Sequence, residues 1–153
     1  MSIEAAMLTL NEMSFTTSRA TYRDFDSEHV LSQTAIYVQV VLPIHTGVSV
    51  YAFVDTGAPY CIFDTEITEA LGLFPDNGER ITLSTRRGSF VGTIQRLTIR
   101  LVAEQGDSLD IDASVFITSD WGRGNFVGYS GFLERFRFAI DSRTNSFYFG
   151  PHG

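Results

Sequence analysis

The chain contains no lysine. All eleven basic residues are arginine, against eighteen acids, for a formal net charge of −7. An acidic chain without lysine is a poor binder of phosphate backbones, so no nucleic-acid partner is expected. Cysteine is nearly absent as well. Cys61 stands alone, so no disulfide can form within the chain, and a reducing, cytoplasmic setting is the expectation. No apolar run approaches the length of a membrane span, so no membrane partner is expected either. The opening residues, MSIEAAMLTLNEMSF, lack both a basic start and a long apolar stretch and do not read as a signal peptide. Repeats, low-complexity tracts and interdomain linkers are also missing.

What remains suits one folded domain. The 153 residues are 44% hydrophobic and 13% aromatic, enough for one core and weighted toward strands by thirteen Phe and six Tyr. Residues 1–30 show no clear period and read as an N-terminal arm with one strand near Leu8 to Phe15; the domain proper spans 31–153. AIYVQVVLPI, from Ala35, and VSVYAFVD, from Val48 to Asp55, form a hairpin pattern. DTEITEALGLF reads as a short helix, capped by Asp64 or Thr65, with Glu66 in its first turn and Gly72 at its end. Strands follow at about 80–85, 90–103 and 109–118, with turns at Gly88 and Gly106. DWGRGN is a loop, GFLERF a helical turn, RFAID a strand and FYFG a terminal strand. The expected fold is mainly β, a small closed barrel-like domain with one or two short helices.

One stretch poses a chemical question. In VYAFVDTGAPYC, Val50 to Cys61, a buried strand ends on an acid. Asp-Thr/Ser-Gly arises by chance in roughly one chain in ten of this length; apolar residues before it and a small one after lower that to about one in a few hundred. Here Phe53 and Val54 precede it and Ala58 follows. On the tripeptide alone, Asp55 could equally cap a turn in which Gly57 takes an unusual backbone angle. A second motif lies in NFVGYSGFLERFRFAID, where Phe126 and Val127 precede Gly128, and Phe132 and Leu133 follow.

The two motifs, in this order and spacing, resemble the retropepsin-like aspartic proteases, including the bacterial single-domain members, over about Ala35 to Phe149. The resemblance implies a retropepsin fold and roles for individual residues. Asp55 would be the catalytic carboxylate. Thr56 would brace the active-site loop against its counterpart in a partner chain. Gly57 would let the backbone approach substrate, and Ala58 would keep the floor of the site small. Gly128 would let the last strand and helix pack behind the catalytic loop. Two positions depart from the retroviral pattern: Pro59 and Tyr129 stand where an Asp and an Arg commonly form an ion pair near the dimer interface. Both charges are missing together, so neither is stranded, and the retroviral style of interface is not implied. The spacing GYSGFL is also one residue longer than the viral pattern.

Peptide hydrolysis without a metal or covalent intermediate needs a base for water and an acid for the group that develops charge. Two close carboxylates sharing one proton supply both. The chain has one Asp-Thr-Gly, and Asp141 in AIDSRT reads as a turn former, so the second carboxylate is expected from Asp55 of another copy. A homodimer acting on a peptide or protein, with no cofactor and no metal, is the expectation. A flap would exclude water over the site. ITLSTRRGSFVGTI offers one, with its turn at Thr85, Arg86, Arg87, Gly88, Ser89 and Phe90; an ordinary hairpin with an arginine-protected edge explains the same residues. The C-terminal SFYFG is a candidate interface strand.

Other chemistries fit less well. GYSGF lacks the second glycine of a nucleophile elbow, and Ser130 reads as a turn residue. His29, His45 and His152 pair with no nucleophile. DSLDID lacks the turn glycine and terminal Glu of a calcium loop; alternation puts Leu109 and Ile111 inward and Asp110 and Asp112 outward. Cys61 reads as a small core residue. Two competing functions remain: an inactive retropepsin-fold module that dimerises or binds peptide, and a small barrel holding an apolar ligand.

Overall fold

The computed structural model describes residues 7–24, 35–76, 78–86 and 88–153. Three short strands open it: β1 (Leu8–Leu10), β2 (Met13–Thr16) and β3 (Ser18–Thr21). They are followed by β4 (Tyr37–Leu42), β5 (Val48–Asp55), β6 (Cys61–Ile62), the helix α1 (Thr65–Ala70), β7 (Glu79–Thr85), β8 (Gly88–Leu101) and β9 (Leu109–Thr118). The chain ends with β10 (Phe126–Gly128), a single 3-10 turn at Leu133–Arg135, β11 (Arg137–Asp141) and β12 (Ser146–Gly150).

Six strands form a ring in the order β4, β5, β10, β6, β9, β8, and β8 returns to β4 through Val40↔Leu101 and Val41↔Arg100. Alternation along the strands fills it. Val38, Val40 and Leu42 of β4 point inward, as do Ala52 and Val54 of β5 and Ile111, Ala113 and Val115 of β9. Ring closure hides the edges that an open sheet of this composition would expose. The strand β8 is long enough to serve twice. Its second half closes the ring, and its first half leaves it to pair with β7 as a projecting hairpin, Glu79↔Ile94 to Thr85↔Gly88.

A second sheet has the order β11, β12, β3. Here β12 is central, with Arg137↔Gly150 to Asp141↔Ser146 on one side and Ser18↔Phe149 to Thr21↔Ser146 on the other. Both edges of SFYFG are therefore taken by its own chain, and Phe147 and Phe149 are fully buried. SFYFG, the candidate interface strand, thus has no free edge among the described residues. The single strand expected near Leu8 to Phe15 is instead the hairpin β1–β2, turned at Asn11 and Glu12, and β3 was not foreseen.

Candidate active site

Asp55 is the last residue of β5. Ala52 and Val54 face the core, so alternation puts Phe53 and Asp55 on the opposite face, and Asp55 is half-buried. β10 runs parallel to β5 with Gly128 opposite Asp55. β6 lies on the other side of β10 and antiparallel to it, through Phe126↔Ile62. The chain from Asp55 to Cys61 must therefore pass over the end of β10 to rejoin the sheet.

Gly128 makes that crossing possible. A Cβ there would sit 2.4 Å from the Tyr60 carbonyl oxygen and 2.7 Å from that of Ala58. The backbone then ties the crossing down. The Tyr129 N–H donates to the Ala58 carbonyl (2.8 Å), and the Ala58 N–H donates to the Asp55 carbonyl (3.2 Å). The Gly57 N–H donates to Asp55 Oδ1 at 3.0 Å. That one main-chain donor orients the carboxylate, and no ion pair reaches Asp55 among the described residues. Thr56 and Gly57 are exposed and Ala58 is half-buried. Asp55, Thr56, Gly57, Ala58, Phe126, Val127 and Gly128 thus come together in one place. Pro59 and Tyr129 flank it on the surface, with Tyr129 51% exposed.

The hairpin β7–β8 carries the other expected site residues. Thr85 and Gly88 close its turn, with Gly88 at φ +122°, a backbone region open to glycine. Thr85 Oγ1 donates to the Gly88 carbonyl (3.0 Å), and the Ser84 and Ser89 hydroxyls lie 3.3 Å apart. Arg86 is exposed at the tip; Arg87 lies outside the described residues. Phe90 points back toward the body and meets Trp121 edge-on, with centroids 5.1 Å apart. A row of rings continues from there: Trp121 to Phe126 (6.0 Å), Phe126 to Phe53 (5.5 Å) and Phe53 to Tyr37 (5.5 Å). The row links the hairpin to the strand that ends on Asp55.

Trp121 was missed in the sequence, where DWGRGN read as a plain loop. The available signal was a lone tryptophan in a glycine-rich loop just before the second motif. The start of α1 holds it in place. Thr65 Oγ1 accepts the Trp121 N–H (2.8 Å) and donates to the Thr118 carbonyl (2.9 Å). The indole N–H donates to the Gly124 carbonyl, and Asp64 Oδ1 accepts the Gly124 N–H, each at 2.8 Å. Asp64 occupies the helix N-cap position, yet its side chain makes no cap bond and anchors this loop instead.

The remaining candidates separate from the site. Cys61 is fully buried, and burial pushes its thiol up to about 12 against smaller opposing pulls from the Gly128 backbone and the Arg135 charge. Asp141 Oδ1 accepts the Arg143 N–H at 2.9 Å, as a turn former does. His45 sits in the β4–β5 turn, His152 Nε2 lies 2.9 Å from the Glu134 carbonyl, and His29 is outside the described residues. Asp110 and Asp112 point outward and pair with Arg100 and Arg96.

The fold has a counterpart among solved structures. A retropepsin-like aspartic protease from Rickettsia conorii superposes with a TM-score of 0.56 at 19% sequence identity, over 85% of this chain and 97% of that one. The architecture is thus that of the retropepsin fold. No protein-family model and no curated protein matches the chain.

Proposed function

We propose that two copies of the chain form an aspartic endopeptidase, with the two Asp55 carboxylates facing each other across a two-fold axis. The observation that carries this is the setting of Asp55. It is half-exposed at a strand end, oriented by the Gly57 N–H, on a loop seated over Gly128 in a retropepsin fold.

In the dimer one carboxyl holds the shared proton. The other takes a proton from water as the water oxygen bonds to the scissile carbonyl carbon, and the first gives its proton to the carbonyl oxygen. Collapse of the tetrahedral intermediate breaks the C–N bond while a proton passes to the leaving nitrogen. Thr56 braces the paired loops. The hairpin, through Thr85 to Phe90, covers an extended peptide and keeps water out. No cofactor takes part.

The test is cleavage of a denatured protein mixture by the wild type beside Asp55→Asn. The substitution keeps shape and removes the acid–base function, so activity is expected to vanish with the fold retained. Equal cleavage by both proteins would remove Asp55 from the reaction, and no cleavage by either would leave a dimerising or peptide-binding module.

A further inference from the structure

We propose that Asp64 and Thr65 are positioning residues for the peptide. They clamp the loop 121–125 so that Trp121 seats the β7–β8 hairpin over the Asp55 cleft, and they do not act on the reacting carboxylates. The proposal rests on the peptidase reading above.

The loop has little to hold it in one shape by itself. WGRGN has two glycines in five residues, and Gly124 stands at φ +103°, where side chains are disfavoured. Its shape comes from the start of α1. The Asp64 carbonyl opens the helix by accepting the Ile67 N–H (2.9 Å), and the Asp64 side chain makes no cap bond. Asp64 Oδ1 takes the Gly124 N–H instead (2.8 Å), and the Asp64 N–H donates to Asn125 Oδ1 (3.0 Å). Thr65 makes a second reciprocal pair. Its N–H donates to the Trp121 carbonyl (2.7 Å), and its Oγ1 accepts the Trp121 N–H (2.8 Å). Two adjacent residues thus exchange four bonds with the two ends of one loop.

The clamp leads to the hairpin by two routes. β8 leaves β9 at Gly92↔Thr118, so the hairpin beyond that point has no strand of the body beside it. Packing holds it down, and the edge-on contact of Phe90 with Trp121, which is only 8% exposed, is part of that packing. Thr118 gives the second route. Its carbonyl accepts the Thr65 hydroxyl (2.9 Å), and its own hydroxyl donates to the Val91 carbonyl (2.8 Å), next to Phe90. Asp55 is held separately, by the Gly57 N–H and by the seating of its loop on Gly128. Loosening the clamp should therefore weaken the grip on a peptide and leave the chemical step alone. A contact that serves ground state and transition state equally shows in KM, not in kcat.

Steady-state cleavage of a quenched peptide, copied from a site cut in the denatured mixture, tests this with Asp64→Ala, Thr65→Val and Asp64→Asn. The first two each remove a bond to the loop, so KM is expected to rise about three- to tenfold with kcat within about twofold of the wild type. Emission from Trp121, the sole tryptophan, should shift to the red while the far-UV spectrum stays unchanged. Asparagine keeps the acceptor oxygen, so Asp64→Asn should match the wild type in both readings. A wild-type KM in Asp64→Ala and Thr65→Val would overturn the proposal, as would a fall in kcat at constant KM. Asp64→Asn behaving like Asp64→Ala would overturn the acceptor role. A wild type that cleaves nothing removes the peptidase reading by itself. The dissociation constant of a peptide mimic bearing a hydroxyl at the scissile position then replaces KM, with the same outcomes, and a mimic that does not bind overturns the clamp as well. Should Asp64→Ala and Thr65→Val both fail to fold, Phe90→Leu decides from the half-covered hairpin side of the contact. It is expected to raise KM in the same way, and an unchanged KM there overturns the proposal.

Discussion

A methyl group at Gly128 would collide with two carbonyl oxygens of the loop that carries Asp55. Neither carbonyl can retreat freely. That of Ala58 accepts the Tyr129 N–H, and that of Tyr60 leads directly into the buried Cys61. Gly128→Ala is therefore expected to cost about 1–3 kcal/mol by overpacking. Its effect on peptide cleavage should be larger, because the displaced loop carries the reacting group; urea unfolding and cleavage assays on one preparation compare the two. Cys61 illustrates the opposite case, a reactive residue type made inert by place. With its thiol raised to about 12, neutral solution holds no thiolate, and the native protein should resist a thiol reagent that labels it fully in urea. The sign for stability follows. Because the folded value lies above the ordinary 9.0, this contribution is complete below 9 and fades as pH climbs toward 12.

The hairpin β7–β8 is an element with its own small core. Ile81, Leu83, Phe90 and Ile94 pack on Ile62, Phe116 and Trp121, together with Tyr60 from the Asp55 loop. Phe90→Ala should cost about 1–2 kcal/mol, less than a fully buried Phe, since Phe90 is only half-covered. Trp121 is the sole tryptophan, so its emission reports the loosening directly. Elements differed in how plainly the sequence announced them. β5 and β9 have the bounds expected of them, because alternating apolar residues against a core leave one register. The motif residues around Asp55 and Gly128 were legible because their chemistry is local: an acid, two glycines and apolar flanks. β3 was not, since Ser18 and Ala20 are small and Arg19 and Thr21 polar; it is a strand through pairing with residues distant in sequence, β12 on one side and Gln105 on the other. The neighbours of β12 were hidden for the same reason. Its aromatic pattern revealed a strand, but a strand's edges depend on neighbours that no local pattern names.

At the scale of the whole molecule, one chain carries half of the proposed machinery. Activity per chain should fall on dilution as dimers part, and a sedimenting monomer that still cleaves peptide would contradict the two-carboxylate scheme. The pH profile tests the same point more sharply. Two neighbouring carboxylates titrate as a coupled unit, one macroscopic step lowered and the other raised, and only the singly protonated pair holds an acid and a base together. The rate should therefore be bell-shaped with its maximum in acidic to weakly acidic solution. Association favours the same range, because a chain at −7 with a pI near 4.8 repels its copy less as pH falls. The acid limb needs separating from loss of the fold. The Arg100 guanidinium holds Asp110 below the ordinary 3.8, so that pair stabilises the fold above 3.8 and is lost only as pH falls through the lower folded value. It is an exposed surface pair, and salt screens it. A decline in rate with an unchanged far-UV spectrum thus belongs to the carboxylate pair and not to loss of the fold. The measurement is a pH–rate curve at fixed dimer concentration, repeated with a chelator, a thiol reagent, a serine reagent and a peptide mimic bearing a hydroxyl at the scissile position. Only the mimic should inhibit; a rate that climbs steadily into alkaline solution, or vanishes with the chelator, would exclude the carboxylate pair.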